Sequence, residues 1–298
     1  MNPMVDNGIT NQQKRVILSV LAHPDDESFG MGGTLALYAK RGVDVHLVCA
    51  TRGEVGEVSL EILEGFDSVS DLRVNELRCA AGILGLKGVH FLDYRDSGMP
   101  GSEDNHHPLA LAAAPLDEVA AKVTQYIRKL RPQVVLTFDP IGGYRHPDHI
   151  AIHEATVKAF SAAGDPGLYP GEDPPFQPEK LYYHTIPKGL LRWAVRAMPL
   201  FGVDPTKFGQ NNDIDLRALA AEDFPVHTRI DYSEVYELKE KASACHASQG
   251  GGGFSRANRL VGWAFRAMAG KDPFMRAYPA PEMGLRERDL FENVNGVV

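Results

Sequence analysis

One imidazole and three carboxylates are crowded into His23-Pro24-Asp25-Asp26-Glu27. Like charges this close are costly unless something cationic neutralises them, and a divalent metal would do so. His23 and Asp26 stand three apart across a turn that Pro24 helps to fix. That spacing lets an imidazole nitrogen and a carboxylate oxygen face one ion. A second cluster, Tyr144-Arg145-His146-Pro147-Asp148-His149, offers two more imidazoles. Three protein ligands of mixed nitrogen and oxygen type, with a position left for water, make a catalytic zinc site; a structural site needs four ligands and is usually rich in sulfur. A metal so held lowers the pKa of its water toward about 7 and polarises a carbonyl, which is the chemistry of amide hydrolysis. Asp25, beside the ligand Asp26 but pointing elsewhere, is the expected base. His146 and Tyr144 are the expected oxyanion donor and amine acid, in either assignment. Glu27 has a blander reading as a solvated residue of a helix N-terminus, where carboxylates are favoured.

Such groups need rigid elements behind them. The first cluster follows the apolar run Val16 to Leu21, and the second follows Gln133 to Phe138. Both runs read as buried strands. Val43 to Ala50 and Val89 to Tyr94 read as two further strands, with polar loops Thr51 to Glu57 and Arg95 to Met99 after them. Helical spacing is expected over Ser28 to Arg41, Asp71 to Leu84, Leu116 to Leu130 and Ile150 to Phe160. Gly30, Gly32 and Gly33 lack the spacing of a dinucleotide loop and fit close helix–sheet packing better. Strand and helix therefore alternate from residue 15 to 160. The expected fold is α/β: a Rossmann-like, mostly parallel sheet with helices on both faces. In such sheets the polar loops at the C-terminal strand ends meet in one crevice.

The later half is less regular. Leu181 to Ile186 and Val226 to Ile230 read as strands, and Leu190 to Met198 and Ser233 to Ser248 as helices. Residues 164–178 read as a surface loop, Phe201 to Asp223 as a turn-rich cover, and Gly250 to Gly253 as a hinge. The expected organisation is a loose tail over 1–13 and a single domain over 14–298, with a substrate-covering insertion near 164–225.

Bulk properties narrow the class. The chain has 298 residues, 44% of them hydrophobic, with a formal net charge of −8. No long basic run is present, which argues against a nucleic-acid partner. Cys49, Cys79 and Cys245 lie far apart without paired spacing, which argues against a disulfide framework and fits a reducing cytoplasm. No apolar stretch approaches the roughly 20 residues that span a bilayer, so no membrane association is expected.

Ala22 to Glu27 and Tyr144 to His149 resemble the two signature motifs of the PIG-L/LmbE-like zinc-dependent de-N-acetylases. The resemblance extends through Thr51 to Glu54, Arg73 to Leu77, Arg95 to Met99 and His246-Ala247-Ser248-Gln249. It is strongest to the deacetylase and amidase subgroup of the mycothiol pathway. It implies that His23, Asp26 and His149 hold zinc, with iron as the alternative for an N/O site. It implies Asp25 as general base, His146 as oxyanion stabiliser or amine acid, and Tyr144 as an assisting group. It implies Arg73 and Asp96 as binders of substrate hydroxyl or phosphate groups. Asp148 is expected to support a histidine rather than to ligate, and Glu27 to set the geometry of the turn. Arg145 stands where the subgroup carries a small residue, and 164–225 matches no part of the family pattern.

The implied activity is removal of an acetyl group from an N-acetylglucosamine-type sugar, so the expected partner is a small N-acylated amino sugar or glycoconjugate. Two alternatives are kept. One is a mycothiol S-conjugate amidase, which cuts a larger acyl group from the same amine. The other is a non-catalytic sugar- or metal-binding protein, which would not need Asp25, His146 and Tyr144 together. The sequence leaves the oligomeric state open, and a homo-oligomer is compatible with it.

Overall fold

The computed structural model describes residues 14–185, 188–207, 215–251 and 270–295. The expected tail over 1–13, and Gly252 and Gly253 of the expected hinge, lie outside them. Val16–Leu21 (β1), Asp44–Cys49 (β2), Gly88–Phe91 (β3), Val134–Phe138 (β4), Lys180–His184 (β5), Thr228–Asp231 (β6) and Lys271–Tyr278 (β7) form one sheet in the order β3-β2-β1-β4-β5-β7-β6. The first five strands pair in parallel, and β7 runs antiparallel to both its neighbours. β4 is buried along its whole length and β1 along nearly all of it. That is why both read as unbroken apolar runs rather than alternating ones.

Asp26–Phe29 (α1), Gly32–Lys40 (α2), Leu60–Leu63 (α3), Val69–Leu84 (α4), Leu116–Leu130 (α5), Gly142–Arg145 (α6), Pro147–Ala162 (α7), Lys188–Ala197 (α8), Leu216–Ala221 (α9) and Tyr236–Cys245 (α10) are the α-helices among the described residues. α2, α4 and α10 pack on one another, and α5 packs on α7. Right-handed crossovers require this division: from β1 the chain winds outward through β2 to β3, then returns to build β4 and β5 on the other side of β1. The winding direction reverses between β1 and β4, and the crevice of an open α/β sheet lies at that reversal.

The α/β architecture is as expected, with local differences. Ser28 to Arg41 is two helices rather than one, interrupted at Gly30-Met31. Gly33 packs so closely on the Tyr232 ring that a Cβ there would lie 2.2 Å from it. The turn-rich cover over Phe201 to Asp223 contains α9. β5 lies inside the 164–225 span yet is a strand of the sheet. α7 starts three residues earlier than its apolar spacing suggested, so the second cluster begins a helix instead of preceding one. β7 was not anticipated: Pro273 interrupts its pattern, and proline within a run argues against a strand.

The cysteine expectation is corrected. Cys79 on α4 and Cys245 at the end of α10 form a disulfide across a sequence separation of 166, with Cα atoms 5.9 Å apart. Spacing in the chain carries no information here, because the packing of α10 on α4 brings the pair together. Cys49 is a buried free thiol at the end of β2.

Among the described residues, no helix is long and apolar enough to cross a membrane.

Candidate active site

The loops after β1, β2, β3 and β4 meet at the reversal point. From β1 come His23, Asp25 and Asp26; from β2, Gly53 and Glu54; from β3, Asp96 and Ser97; from β4, Tyr144 to His149. Glu54 Oε2 accepts the Asp96 N–H at 3.0 Å, and Asp148 Oδ2 accepts the Ser97 N–H at 2.9 Å, so the loops brace one another.

At the centre, His23 Nδ1 lies 3.2 Å from His149 Nε2. Asp26 Oδ2 is 3.6 Å from His23 Nδ1, and Asp26 Oδ1 is 3.3 Å from His149 Nε2. Each imidazole is fixed by its other nitrogen. His23 Nε2 lies 3.0 Å from Asp148 Oδ2, and Asp148 is also held by the Ser97 hydroxyl. His149 Nδ1 lies 3.2 Å from the Gly142 carbonyl, and its ring stacks on Phe138 with centroids 3.9 Å apart. Gly142 is required here, since a Cβ would lie 2.7 Å from that of His149 and φ is +64°. Asp26 also accepts the His23 N–H at 2.7 Å. Burial raises the pKa of Asp26, but the two imidazoles outweigh it and hold the carboxyl well below its usual range.

Asp25 points elsewhere. It is the residue before α1, at φ 126° and ψ −30°. Arg73 Nη2 donates to Asp25 Oδ2 at 2.9 Å and to the Pro24 carbonyl at 2.6 Å; Arg73 Nη1 donates to the Gly53 carbonyl at 3.2 Å. Burial lifts the Asp25 carboxyl to about 6, against the opposing pull of Arg73. Arg73, expected to bind substrate, is thus buried against Asp25. Asp96, also expected at the substrate, is buried 3.5 Å from His23 Nε2 and accepts the Gly98 N–H at 2.8 Å.

His146 caps α7: its Nδ1 accepts the Asp148 N–H at 3.2 Å, and Pro147 takes the first helical position. Its ring stands edge-on to His23 with centroids 4.6 Å apart. Burial and the two neighbouring imidazoles hold it neutral, well below its ordinary pKa. Tyr144 sits edge-on to His149 at 4.9 Å and packs against the apolar cluster of Val195, Leu216, Leu219 and Ala220 on α8 and α9. Burial raises its phenol pKa, so it stays protonated. Arg145 turns outward to pair with Glu222 at 3.0 Å.

Glu27 is fully buried, not solvated. Its Oε2 accepts the Asp25 N–H at 3.0 Å and its Oε1 lies 2.7 Å from His246 Nε2. His246 and Ser97 were not singled out as site residues. The motif resemblance touched both segments, but nothing in their spacing shows which side chains they reach.

A donor set of two imidazoles and one carboxylate therefore converges, and it can be tested against an ion. A tetrahedral centre with bonds of about 2.0–2.1 Å places its ligands about 3.3 Å apart. The 3.2 Å between His23 Nδ1 and His149 Nε2 fits that figure, and Asp26 flanks the pair with a different oxygen toward each, Oδ2 at 3.6 Å from His23 and Oδ1 at 3.3 Å from His149. One ligand atom from His146 also lies within 4.8 Å of those of His23 and His149.

Comparison with known proteins places the chain among relatives. The family profile described as PIG-L, GlcNAc-PI de-N-acetylase, matches residues 18–160. A protein of Geodermatophilus obscurus named 1D-myo-inositol 2-acetamido-2-deoxy-alpha-D-glucopyranoside deacetylase is 38% identical over 244 residues, covering 79% of this chain and 83% of its own. The protein of the same name from Streptomyces avermitilis is 36% identical over 292 residues, covering 94% and 97%. Among solved structures, the N,N'-diacetylchitobiose deacetylase of Pyrococcus horikoshii superimposes with a TM-score of 0.58 at 21% identity, covering 88% and 83% of the two chains. The 4-carboxy-2-hydroxymuconate hydratase of Pseudomonas putida also gives 0.58, at 23% identity, covering 91% and 99%. These structural likenesses speak for the fold alone, and the hydratase shows that the fold does not fix the reaction.

Proposed function

Because the chain belongs to the PIG-L family of de-N-acetylases, we propose that it is a zinc-dependent amidohydrolase that removes the acetyl group from an N-acetylglucosamine-type sugar, with the deacetylated amine and acetate as products. The observation that carries this reading is that His23 Nδ1 and His149 Nε2 face each other at 3.2 Å with the Asp26 carboxylate against both, and Asp25 beside them and turned away.

His23, Asp26 and His149 would hold the metal. When bound, zinc lowers the pKa of a water and polarises the amide carbonyl. Asp25 takes the proton that the attacking water loses, and returns it to the leaving nitrogen as the C–N bond breaks. Arg73 occupies Asp25 Oδ2, so proton transfer falls to Oδ1. With Nδ1 engaged as an acceptor in the helix cap, neutral His146 carries its proton on Nε2 and donates a hydrogen bond from it to the carbonyl oxygen as charge develops there. Tyr144, protonated and seated on α8 and α9, is the second donor. Asp148 orients His23, and Glu27 holds the backbone of Asp25. Substrate contact by Arg73 is confined to what its bonds to Asp25, Pro24 and Gly53 leave open.

We read residues 14–298 as one domain in which α8 and α9 cover the site; the seat they give Tyr144 supports this. The relatives' names point to an N-acetylglucosaminyl inositol as substrate. We propose a cytoplasmic location for the protein. The Cys79–Cys245 bond weighs against it, because cytosolic thiols are kept reduced. The mass of the protein under non-reducing conditions, straight from cells, decides between the two.

Acetate release by zinc-loaded protein from N-acetylglucosaminyl-inositol, N-acetylglucosamine and a bulky thiol conjugate of the same amine tests the assignment. Preference for the first supports it. Preference for the conjugate makes the protein an amidase instead, and zinc-replete protein inert toward all three makes it a binding protein.

A further inference from the structure

Asp25 holds a backbone conformation that a non-glycine residue rarely takes, φ 126° with ψ −30°. Such a conformation is strained and persists only where its surroundings over-determine it. Two anchors do so. From the carboxylate side, Arg73 of α4 binds Oδ2. From the backbone side, Glu27 Oε2 accepts the Asp25 N–H.

Glu27 is itself held from one direction by its neighbour, the Ser28 hydroxyl at 2.6 Å, and from the other by a distant residue, His246 Nε2 at 2.7 Å. Glu27 and His246 are both completely buried. His246 has little freedom. It follows Cys245, which is bonded to Cys79 of α4. Two residues later, Ser248 gives its N–H and hydroxyl to Glu76 of α4 at 2.8 and 2.6 Å. The His246 carbonyl accepts the Gly251 N–H at 2.9 Å, at a place where a Cβ on Gly251 would lie 1.9 Å from the Ser243 carbonyl. The Phe29 ring stands edge-on to the imidazole at 5.8 Å. α4 therefore reaches Asp25 twice: directly through Arg73, and through the end of α10 clamped to it.

We propose that His246 is a positioning residue for Asp25, fixing Glu27 so that the Glu27 carboxylate holds the Asp25 backbone in its unusual conformation and aims the base. This rests on the reading of Asp25 as the base. A merely structural role is the weaker explanation. A buried ionisable pair is weak evidence for stability, because well-packed apolar residues of similar volume often serve as well or better. Here the pair sits on the one carboxylate whose second oxygen grips the base's backbone.

The test compares His246→Leu with His246→Gln, whose side-chain amide reaches Glu27 and donates to it, and measures Asp25→Asn beside them. His246→Leu is expected to lower kcat about 10–100-fold, the usual effect of losing an outer orienting partner. KM and zinc content should stay near wild type, and hydrogen exchange at the Asp25 amide should quicken. His246→Gln should recover most of kcat and of the amide protection. If His246→Leu does not fold, His246→Asn, whose amide stops short of Glu27, takes its place. Unchanged turnover in the donor-less variant, or lost turnover with unchanged Asp25 exchange, overturns the positioning role. Full turnover in Asp25→Asn overturns the base reading beneath it; a severe loss there beside full turnover in His246→Leu overturns the positioning role alone.

Discussion

His23 Nδ1 and His149 Nε2 face each other at 3.2 Å, and each ring has its other nitrogen against an acceptor that can only receive a proton, the Asp148 carboxylate or the Gly142 carbonyl. Those outer bonds turn both inward nitrogens toward the same point, where each would offer its lone pair to a bound metal. Burial lowers the pKa of His23, but Asp96, Asp148 and Asp26 outweigh it and raise it well above its ordinary value, so a proton can bridge the two rings at 3.2 Å; a bound metal would take that proton's place, with Asp26 alongside. This pattern, in which an acceptor behind each imidazole sets its tautomer, is how metal-binding histidines are held.

Removal of the metal should therefore abolish turnover reversibly, and the outer shell should set its affinity. Asp148→Ala frees the His23 ring while leaving all three donors in the chain. Zinc affinity is expected to fall about 10–100-fold. Titration against a competing chelator measures this. Unchanged affinity would mean that Asp148 does not orient the ligand.

The Cys79–Cys245 bond closes a loop of 166 residues, and removing a bond of this kind costs about 2–5 kcal/mol. Thermal unfolding with and without a reductant should show a fall in Tm that Cys245→Ser reproduces without reductant. A Tm indifferent to both would mean that the two sulfurs are not bonded in solution.

Glu287 is buried beside two cations, with Lys180 Nζ and Arg276 Nη1 each 2.8 Å from its Oε1 and the Tyr182 and Thr228 hydroxyls each 2.8 Å from its Oε2. Burial raises its pKa, but the bonds to Lys180, Thr228 and Tyr182 outweigh this and hold it below its ordinary 4.5. Glu287→Gln leaves both cations buried without a counter-charge and should cost about 3–5 kcal/mol at pH 7. The sign with pH follows from the depressed folded pKa. The contribution is fully present above 4.5 and is lost as pH falls through the folded value. Urea unfolding of both proteins at pH 7 and below pH 4 should show the gap narrowing in acid. A gap that is constant with pH contradicts the ion-pair account.

Much of this site was legible in the chain because its chemistry is local. His23, Asp25 and Asp26 sit on one turn after one buried strand, and His146 and His149 open one helix. Strand-end placement then brings the two clusters together. The pairing of Arg73 with Asp25, the burial of Glu27 on His246 and the bond between Cys79 and Cys245 were not legible. Each depends on which elements meet, α4 against the turn before α1 or against α10, and α1 against the end of α10, and helical periodicity marks a buried face without naming its partner. β7 was hidden for a different reason, since Pro273 breaks the pattern that would have revealed it.

The central claim is that adjacent carboxylates divide the labour: Asp26 faces the two imidazoles, and Asp25, turned away and paired with Arg73, handles the proton. The direct test is the kcat of Asp25→Asn at full zinc occupancy. Loss of a general base costs about 10²–10⁴-fold, so the account predicts a fall of that size in protein that still binds one zinc. Near wild-type turnover by the zinc-loaded variant would contradict it.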